Sequence, residues 1–180
     1  MATHTTVQEL IKTRLTHIKE ASERRDVDAV VSWYSKDATF VDPGTTRFPF
    51  HGIPVDFYLF VRLKVRNISI VGSEALRRFY ANAYDAIPTC KISNPEMTGL
   101  TPEFVACEMN CEGEVAKDVP PMGLKAGDTL KTTGVSLFWW RWEGKSKEWD
   151  GDLSEEGVRG WKITQERAYH LMTGKADEHE

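Results

Sequence analysis

The sequence predicts an α+β fold in which helices pack on one face of a strongly curved, mixed and mostly antiparallel sheet. Three observations support this fold class. Helical periodicity dominates the first half of the chain, strand-like segments follow one another after Pro88, and 180 residues suffice for one domain but not for two. A sheet of this curvature leaves a hollow between its concave face and the helices, where an apolar ligand can bind.

The first two helices are predicted from capping residues and periodicity. Thr6 and Glu9 fit a capping box, and apolar residues then recur at helical spacing over residues 6–24. Asp26 can cap a second, shorter helix whose apolar residues continue as far as Tyr34. The N-terminal part of the chain therefore favours two consecutive helices.

A short strand and a third helix follow, separated by an apolar insertion. Residues 38–42 have the composition of a strand that stops before a Pro-Gly pair. The insertion, residues 44–72, can contain a helix that begins near Pro54, and its apolar side chains have to be covered by the core, a ligand or a second subunit. Ser73 is predicted to cap the third helix, which ends before Pro88.

The second half of the chain is predicted to form strands. Segments rich in Val, Thr and aromatic residues are separated by Pro and Gly turns, namely residues 90–98, 103–115, 128–142 and 161–172. Residues 143–160 are predicted to be a long polar hairpin loop, and residues 173–180 a frayed tail. A single domain therefore spans residues 1–180, with its core at about 6–172.

Charge and composition argue against several classes of function. The formal net charge of −4 and a pI near 5.8 leave no surplus of cations for a nucleic-acid backbone. No apolar run approaches the roughly 20 residues of a membrane-spanning helix, and the N-terminus lacks a secretory signal pattern. We therefore expect a cytoplasmic protein with neither a membrane nor a nucleic-acid partner.

The sequence lacks the common cofactor and metal motifs. The sequence has no Gly-rich phosphate loop and no pair of histidines at metal-ligating spacing, so we expect neither a cofactor nor a metal. Cys90, Cys107 and Cys111 have no Cys-x-x-Cys spacing. We expect them to stay free and to act as small hydrophobic side chains.

Two segments carry a resemblance to a known family: YSKDATFVDPG at residues 34–44 and GSEALRRFYANAYDAIP at residues 72–88. With this order of elements, the chain resembles the nuclear-transport-factor-2-like superfamily and, within it, SnoaL-like polyketide cyclases and ketosteroid isomerases. The resemblance implies a cone-shaped α+β barrel. In ketosteroid isomerases the Asp of the matching Asp-Pro pair is the general base, which implies that role for Asp42.

The remaining catalytic positions of these families differ in this chain. The oxyanion tyrosine of the isomerases falls near Ile18, and their carboxylic acid falls near Ser136. The histidine and aspartate of the cyclases fall near Ser136 and Ala168. Glu166 and His170 alternate with Ala168 on the last strand, and we interpret them as a replacement acid–base set.

Strand alternation places both acids among specific neighbours. Asp42 shares a face with Phe40, and Glu166 shares a face with Thr164 and His170. Glu166 and His170 are roughly 13 Å apart along the strand, so that a substrate can lie between them. If these faces line the hollow, apolar surroundings raise the pKa of the acids and suit them to proton transfer. The alternatives are turn capping for Asp42 and a surface ion pair for Glu166.

Other candidates lie in the insertion and on the apolar elements. Arg47 is a candidate catalytic cation, and His51 a candidate substrate contact, because they flank an apolar Phe-Pro-Phe segment. The other candidate substrate-binding residues supply hydroxyl groups or apolar surface: Tyr58, Tyr80, Tyr84, Met109, Ser136, Phe138 and Trp140. Core packing and solvated loop charge are the alternative interpretations.

These features together predict a cofactor-independent acid–base enzyme. It would isomerise, cyclise or dehydrate a hydrophobic, oxygenated small molecule such as a polyketide or terpenoid intermediate. Asp42 or Glu166 would remove a proton beside a carbonyl, a phenol or imidazole would return it, and Arg47 or Ser136 would stabilise the oxyanion. We also expect a homodimer through the outer sheet face. The alternatives are a hydrophobic-ligand-binding module, a protein-interaction module that docks through the insertion, and an epoxide hydrolase.

Overall fold

The computed structural model describes residues 4–42, 68–120 and 124–174. Within these ranges the helices are α1 (His4–Glu23), α2 (Val27–Val31), α3 (Ser73–Ala86) and α4 (Glu155–Arg159). The strands are β1 (Tyr34–Asp42), β2 (Ile68–Val71), β3 (Lys91–Thr101), β4 (Phe104–Glu114), β5 (Thr129–Trp142) and β6 (Trp161–Gly174). None of the helices in this part of the chain is long and apolar enough to cross a membrane.

The strands form a six-stranded sheet in the order β2-β1-β6-β5-β4-β3. β1 and β6 run parallel, and the other neighbouring pairs of this sheet are antiparallel. The last strand thus lies between the first strand and β5, so that residues from both halves of the chain meet at the middle of the sheet. The predicted α+β class, with helices on a curved mixed sheet, is confirmed.

The helices cover one face of the sheet, which we call the inner face. α1 buries Leu10 and Ile11 almost completely, with exposed fractions of 0% and 2%. α3 packs against β1, where the rings of Phe79 and Phe40 lie 5.1 Å apart between centroids. Each such apolar side chain stabilises the fold by about 1.5–3 kcal/mol when it leaves water. The core therefore lies between the inner face and the helices.

The first two helices differ from the prediction at their ends. α1 begins at His4, so Thr6 lies within its first turn. Asp26 caps α2 as predicted, since its carboxylate accepts a hydrogen bond from the Ala29 amide at 2.9 Å. The second helix, however, ends three residues before Tyr34, which begins β1. The prediction that Tyr34 belongs to a helix is wrong.

Two further segments differ from their predictions. α3 begins at Ser73, and its N-cap is Gly72, whose φ of 88° is a conformation that glycine adopts without steric cost. Residues 143–160 are not wholly a loop, because they contain α4. Ser154 caps α4 by accepting a hydrogen bond from the Gly157 amide at 3.2 Å. The end of this segment is therefore folded onto the core.

The four predicted strands of the second half are confirmed as β3 to β6, with ends that differ by a few residues. Of the predicted insertion, only residues 68–72 lie within the described ranges, and most of them form β2. The helix predicted near Pro54 lies outside the described residues, as does most of the predicted tail. β6 extends two residues into the region where the frayed tail was predicted to begin.

Candidate active site

Glu166 is a charged residue at the middle of the sheet, and its side chain is 5% exposed. Its partners in register are Phe40 on β1 and Phe138 on β5, and both of these rings are buried. Ala168, the next residue on the same face of β6, is buried as well. Glu166 therefore lies on the inner face among apolar side chains, not in the surface ion pair that was its alternative interpretation.

An irregularity in β6 sets the direction in which Glu166 points. Consecutive residues of β5 pair with Ile163 and Gln165, which leaves Thr164 as an extra residue in β6. The exposed fraction of Ile163 is 0%, whereas Thr164 is half-buried and its hydroxyl donates to a β5 carbonyl at 3.2 Å. The predicted sharing of a face by Thr164 and Glu166 is thus wrong. The extra residue is a β-bulge that brings both Ile163 and Glu166 to the inner face.

Both carboxylate oxygens of Glu166 accept hydrogen bonds from hydroxyl groups. The Tyr34 hydroxyl donates to Oε2, and the Ser136 hydroxyl donates to Oε1 at 3.1 Å. The hydroxyl oxygens of Tyr34 and Tyr80 lie 2.8 Å apart. Because the hydroxyl hydrogen of Tyr34 is used in the hydrogen bond to Glu166, Tyr80 is the donor in the bond between the two tyrosines. Two phenols and a carboxylate therefore form one continuous hydrogen-bond chain.

The protonation of this chain follows from its burial. Burial raises the pKa of Glu166 to about 7, against the opposing effect of the Tyr34 and Ser136 hydrogen bonds. The charge of Asp42 raises it further. Burial and the neighbouring carboxylate also raise the pKa of both phenols, Tyr34 and Tyr80, well above the usual value. Near neutral pH, Glu166 can therefore be either an acid or a base, while the phenols remain neutral donors.

The tyrosines come from two different elements. Tyr34 is the first residue of β1, and Tyr80 and Tyr84 lie one helical turn apart on α3. The rings of Tyr34 and Tyr80 lie 6.2 Å apart, and those of Tyr80 and Tyr84 lie 5.7 Å apart. The guanidinium of Arg25 lies 4.7 Å from the centre of the Tyr84 ring. An aromatic row thus leads from Glu166 along α3.

Asp42 and His170 lie on the inner face toward the ends of β1 and β6. The charge of Asp42 acts on both Glu166 and His170, so it lies within electrostatic reach of both. Burial lowers the pKa of His170 despite the opposing effect of Asp42, which keeps the imidazole neutral at pH 7. The ring lies over Gly134 of β5, where a Cβ atom would overlap it. A glycine at this position therefore leaves room for the imidazole.

The other predicted site residues fall into separate groups. Met109 is paired with Gly134 in register and packs against the core. Phe138 lies beside Glu166, but Trp140 lies further along β5, where its ring packs against the Arg14 guanidinium at 4.1 Å. Arg47, His51 and Tyr58 lie outside the described residues.

Tyr34 is the residue of this site that the sequence analysis missed. It donates directly to Glu166, yet it lies at the end of an apolar run that has helical spacing. Regular alternation along β1 could not have placed its side chain, because Lys36 is exposed and the pairing with β6 shifts register between Tyr34 and Thr39. Extending the predicted strand by four residues would have included Tyr34.

Within residues 4–42, 68–120 and 124–174, no cluster of three or more His, Cys, Asp or Glu side chains could hold a metal ion. What the site does contain is a titratable carboxylate, neutral phenols and an imidazole. These groups can transfer protons and can donate hydrogen bonds to a developing negative charge.

The sequence profile of the SnoaL-like domain matches residues 16–149, and the chain belongs to this family. No curated protein is similar enough to count as a match.

Solved structures with the same fold share little sequence with the chain. A candidate polyketide cyclase from Xanthomonas campestris pv. campestris is 16% identical, with 93% of each chain covered and a TM-score of 0.57. SalBIII, an epoxide hydrolase/cyclase-like enzyme with a role in pyran ring formation in salinomycin, is 17% identical, with 95% of this chain and 98% of that chain covered and a TM-score of 0.56. A protein from Catenulispora acidiphila with a ketosteroid isomerase-like fold, in complex with trimethylamine, is 13% identical, with 87% and 83% covered and a TM-score of 0.52. At these identities the likeness establishes the fold alone.

Proposed function

We propose that this chain is a cofactor-independent acid–base enzyme that isomerises, cyclises or dehydrates a hydrophobic, oxygenated small molecule such as a polyketide or terpenoid intermediate. The observation that carries the proposal is Glu166, a buried carboxylate with a pKa of about 7 that is bonded to two hydroxyl groups. A general base works best when its pKa lies near the working pH. The apolar neighbours Phe40, Phe138 and Ala168 suit a hydrophobic substrate.

In the proposed reaction, ionised Glu166 takes a proton from a carbon next to a substrate carbonyl. Each of its oxygens already accepts one hydrogen bond and has a second lone pair for the proton. The electron pair of the broken C–H bond moves onto the carbonyl oxygen, which becomes an enolate oxygen. Once Glu166 is protonated, the Tyr34 hydroxyl is free to donate to that oxygen instead. Glu166 then returns the proton to a different atom of the substrate.

Asp42 and His170 have supporting roles in this proposal. The negative charge of Asp42 helps to keep the pKa of Glu166 near 7. Neutral His170 can donate or accept a hydrogen bond at a second oxygen of the substrate. Ser136 donates a hydrogen bond to Glu166 at 3.1 Å and so orients the carboxylate in this proposal.

The experiment follows proton exchange, because the natural substrate is not needed for it. A panel of aromatic ketones and β-diketones is incubated with the protein in deuterated water, and deuterium uptake next to the carbonyl is measured by NMR. Glu166→Gln should slow the enzyme-dependent exchange by about 10²–10⁴-fold. The matched control is Glu108→Gln, the same change at an exposed residue of β4, which should leave the exchange unchanged.

The outcomes of this experiment separate the proposed enzyme from the alternatives. Equal exchange by the wild type and Glu166→Gln would refute the role of Glu166. Binding of the ketones without any exchange by the wild type would favour a non-catalytic hydrophobic-ligand-binding module. Asp42→Asn should have a smaller effect, about tenfold, because Asp42 acts on the proton through Glu166.

We also propose a homodimer through the outer face of the sheet. Phe104 and Tyr169 are apolar side chains there with exposed fractions of 37% and 45%. The ring of Phe104 lies 5.2 Å from that of Trp139, so the exposed surface is partly continuous. Sedimentation of the wild type and of Tyr169→Asp tests the proposal: the substitution should shift the protein toward the monomer, and a wild type that is already monomeric would contradict it.

A further inference from the structure

A second group of reactive side chains lies where β3 and β4 pair, outside the hydrogen-bond chain of Glu166. Ile92 is paired with Cys111, and extending this register by one pair beyond Lys91 and Glu112 sets Cys90 opposite Gly113. Alternate residues of a strand share a face, so Cys90 and Cys111 are diagonal neighbours on one face. Each thiol shifts the pKa of the other, which places the two side chains close together.

The two backbones come unusually close at this point. The Glu114 amide donates to the Thr89 hydroxyl at 3.0 Å, so the pairing continues past the end of β3. A Cβ atom on Gly113 would overlap the Thr89 carbonyl oxygen, which means that only glycine permits this approach. Cys90 lies between Thr89 and the first residue of β3. The pair of cysteines is thus at a point of close approach between the two backbones.

Arg25 is the cation of this group. Its backbone has a φ of 60°, which is uncommon for a residue other than glycine. Its Nε atom donates to the Pro88 carbonyl at 3.2 Å, and its positive charge acts on the thiol of Cys90. The turn between α1 and α2 therefore presents a positive charge to one of the two cysteines.

These surroundings make the two thiols unequal. The neighbouring thiol of Cys111 and the charge of Arg25 lower the pKa of Cys90 to about 7. The neighbouring thiol of Cys90, together with burial, raises the pKa of Cys111. Cys107 is the third cysteine, and burial raises its pKa to about 11. Cys90 is thus the nucleophilic thiol, Cys111 its protonated neighbour and Cys107 an inert reference within the same chain.

We propose that Cys90 and Cys111 form a reversible dithiol–disulfide couple that exchanges with low-molecular-weight disulfides. The Cys90 thiolate attacks one sulfur of a disulfide such as glutathione disulfide, a mixed disulfide forms, and one glutathione leaves as its thiolate. Cys111 then loses its proton and attacks the Cys90 sulfur, which forms the protein disulfide and releases the second glutathione. The protein loses two electrons and two protons, and one glutathione disulfide becomes two glutathiones. Both cysteines are partly exposed, so that a small disulfide can reach them.

The test uses the full chain in mixtures of glutathione and glutathione disulfide. Free thiols are blocked with N-ethylmaleimide, and peptides are mapped by mass. A Cys90–Cys111 cross-link should appear as the mixture becomes oxidising. Cys107 should remain a free thiol and should be found as its maleimide adduct. Failure of this cross-link to form in saturating glutathione disulfide, or a cross-link that contains Cys107, would overturn the proposal.

Single substitutions test the order of the two steps. Cys111→Ser should retain a stable mixed disulfide at Cys90, whereas Cys90→Ser should react at least tenfold more slowly with glutathione disulfide. Cys107→Ser is the matched control and should form the cross-link as the wild type does. Arg25→Gln should shift the pH at which Cys90 reacts half-maximally to a higher value. Equal reaction rates for Cys90→Ser and the wild type would contradict the assignment of Cys90 as the attacking thiol. None of these results depends on the activity proposed for Glu166.

Discussion

Among the residues that the structure describes, two charged side chains, Arg14 and Glu166, are buried in the core, and their surroundings differ. Glu166 accepts hydrogen bonds from two hydroxyl groups that can also donate hydrogen bonds to a substrate. Arg14 on α1 has an exposed fraction of 0%, and its guanidinium lies 4.1 Å from the centre of the Trp140 ring and 5.3 Å from that of Trp161. Its Nη2 atom donates to the Pro102 carbonyl at 2.9 Å.

Burial shifts the pKa of both groups, with different consequences. It lowers the pKa of Arg14 to about 9, against the opposing charge of Glu103, so that Arg14 stays a cation at pH 7. It raises the pKa of Glu166 to about 7, so that this carboxyl gains and loses a proton near neutral pH. A buried ionisable group therefore indicates proton transfer only when its shifted pKa lies near the pH at which the protein works. We interpret Arg14 as structural and Glu166 as functional.

The largest expected effect on stability comes from Arg14→Ala. The substitution leaves a cavity between two indole rings and removes two cation–π contacts, so it should lower the free energy of unfolding by about 4 kcal/mol. The matched control is Arg167→Ala. Arg167 is exposed and lies 5.7 Å from the Trp139 ring, and its loss should cost less than about 1 kcal/mol. Urea unfolding measures both changes, and equal costs would remove the distinction between the two arginines.

The next effect is a pH dependence that belongs to Glu166. Its pKa is raised from 4.5 to about 7 in the folded state, so the folded protein holds more protons than the unfolded protein between these values. The contribution of Glu166 to the free energy of unfolding is thus fully present below pH 4.5. This contribution falls by about 3 kcal/mol as the pH rises to 7.

Urea unfolding at a series of pH values checks this slope. In Glu166→Gln the fall between pH 4.5 and 7 should disappear, because the amide does not titrate in this range. Glu108→Gln, the exposed control, should keep it. A slope that survives in Glu166→Gln would show that other groups cause the pH dependence.

The smallest expected effect concerns Tyr34. Its hydroxyl stabilises ionised Glu166, so Tyr34→Phe should raise the pKa of Glu166 further and lower the exchange rate at pH 7 by about tenfold. The rise of activity with pH should move to higher pH, a change that a purely structural role would not produce. Tyr169→Phe removes an exposed hydroxyl and should leave the profile in place. An unshifted profile in Tyr34→Phe would separate Tyr34 from the proton transfer.

Much of the fold could be predicted from local patterns, and the errors have physical causes. The period-2 segments of the second half gave the strands β3 to β6, because alternation and turn residues are local signals. α4 was missed since its five residues lie in a polar segment and are fixed by tertiary burial of Gly157 and Val158. The pairing of β1 with β6 was not predicted either, because contacts between the two ends of a chain leave no local pattern.

The candidate site could be predicted in part. Alternation placed Glu166, Ala168 and His170 on one face, and the structure has all three on the inner face. The hydroxyl partners of Glu166 could not be assigned, because Tyr34 is 132 residues away in sequence and Ser136 is 30. Only the parallel contact of β1 with β6 brings Tyr34 to the carboxylate.

The bulge at Thr164 has a consequence for comparing this chain with its relatives. Ile163 and Glu166 both face inward although they are three positions apart, a spacing that places two residues on opposite faces of a regular strand. The alternation of inward and outward side chains at the beginning of β6, which contains Trp161, is therefore out of phase with the alternation in the part that contains Glu166. An ungapped alignment across this strand can match an inward residue of one protein with an outward residue of another. Transfer of catalytic roles between relatives should allow a gap at this point and be checked by side-chain direction.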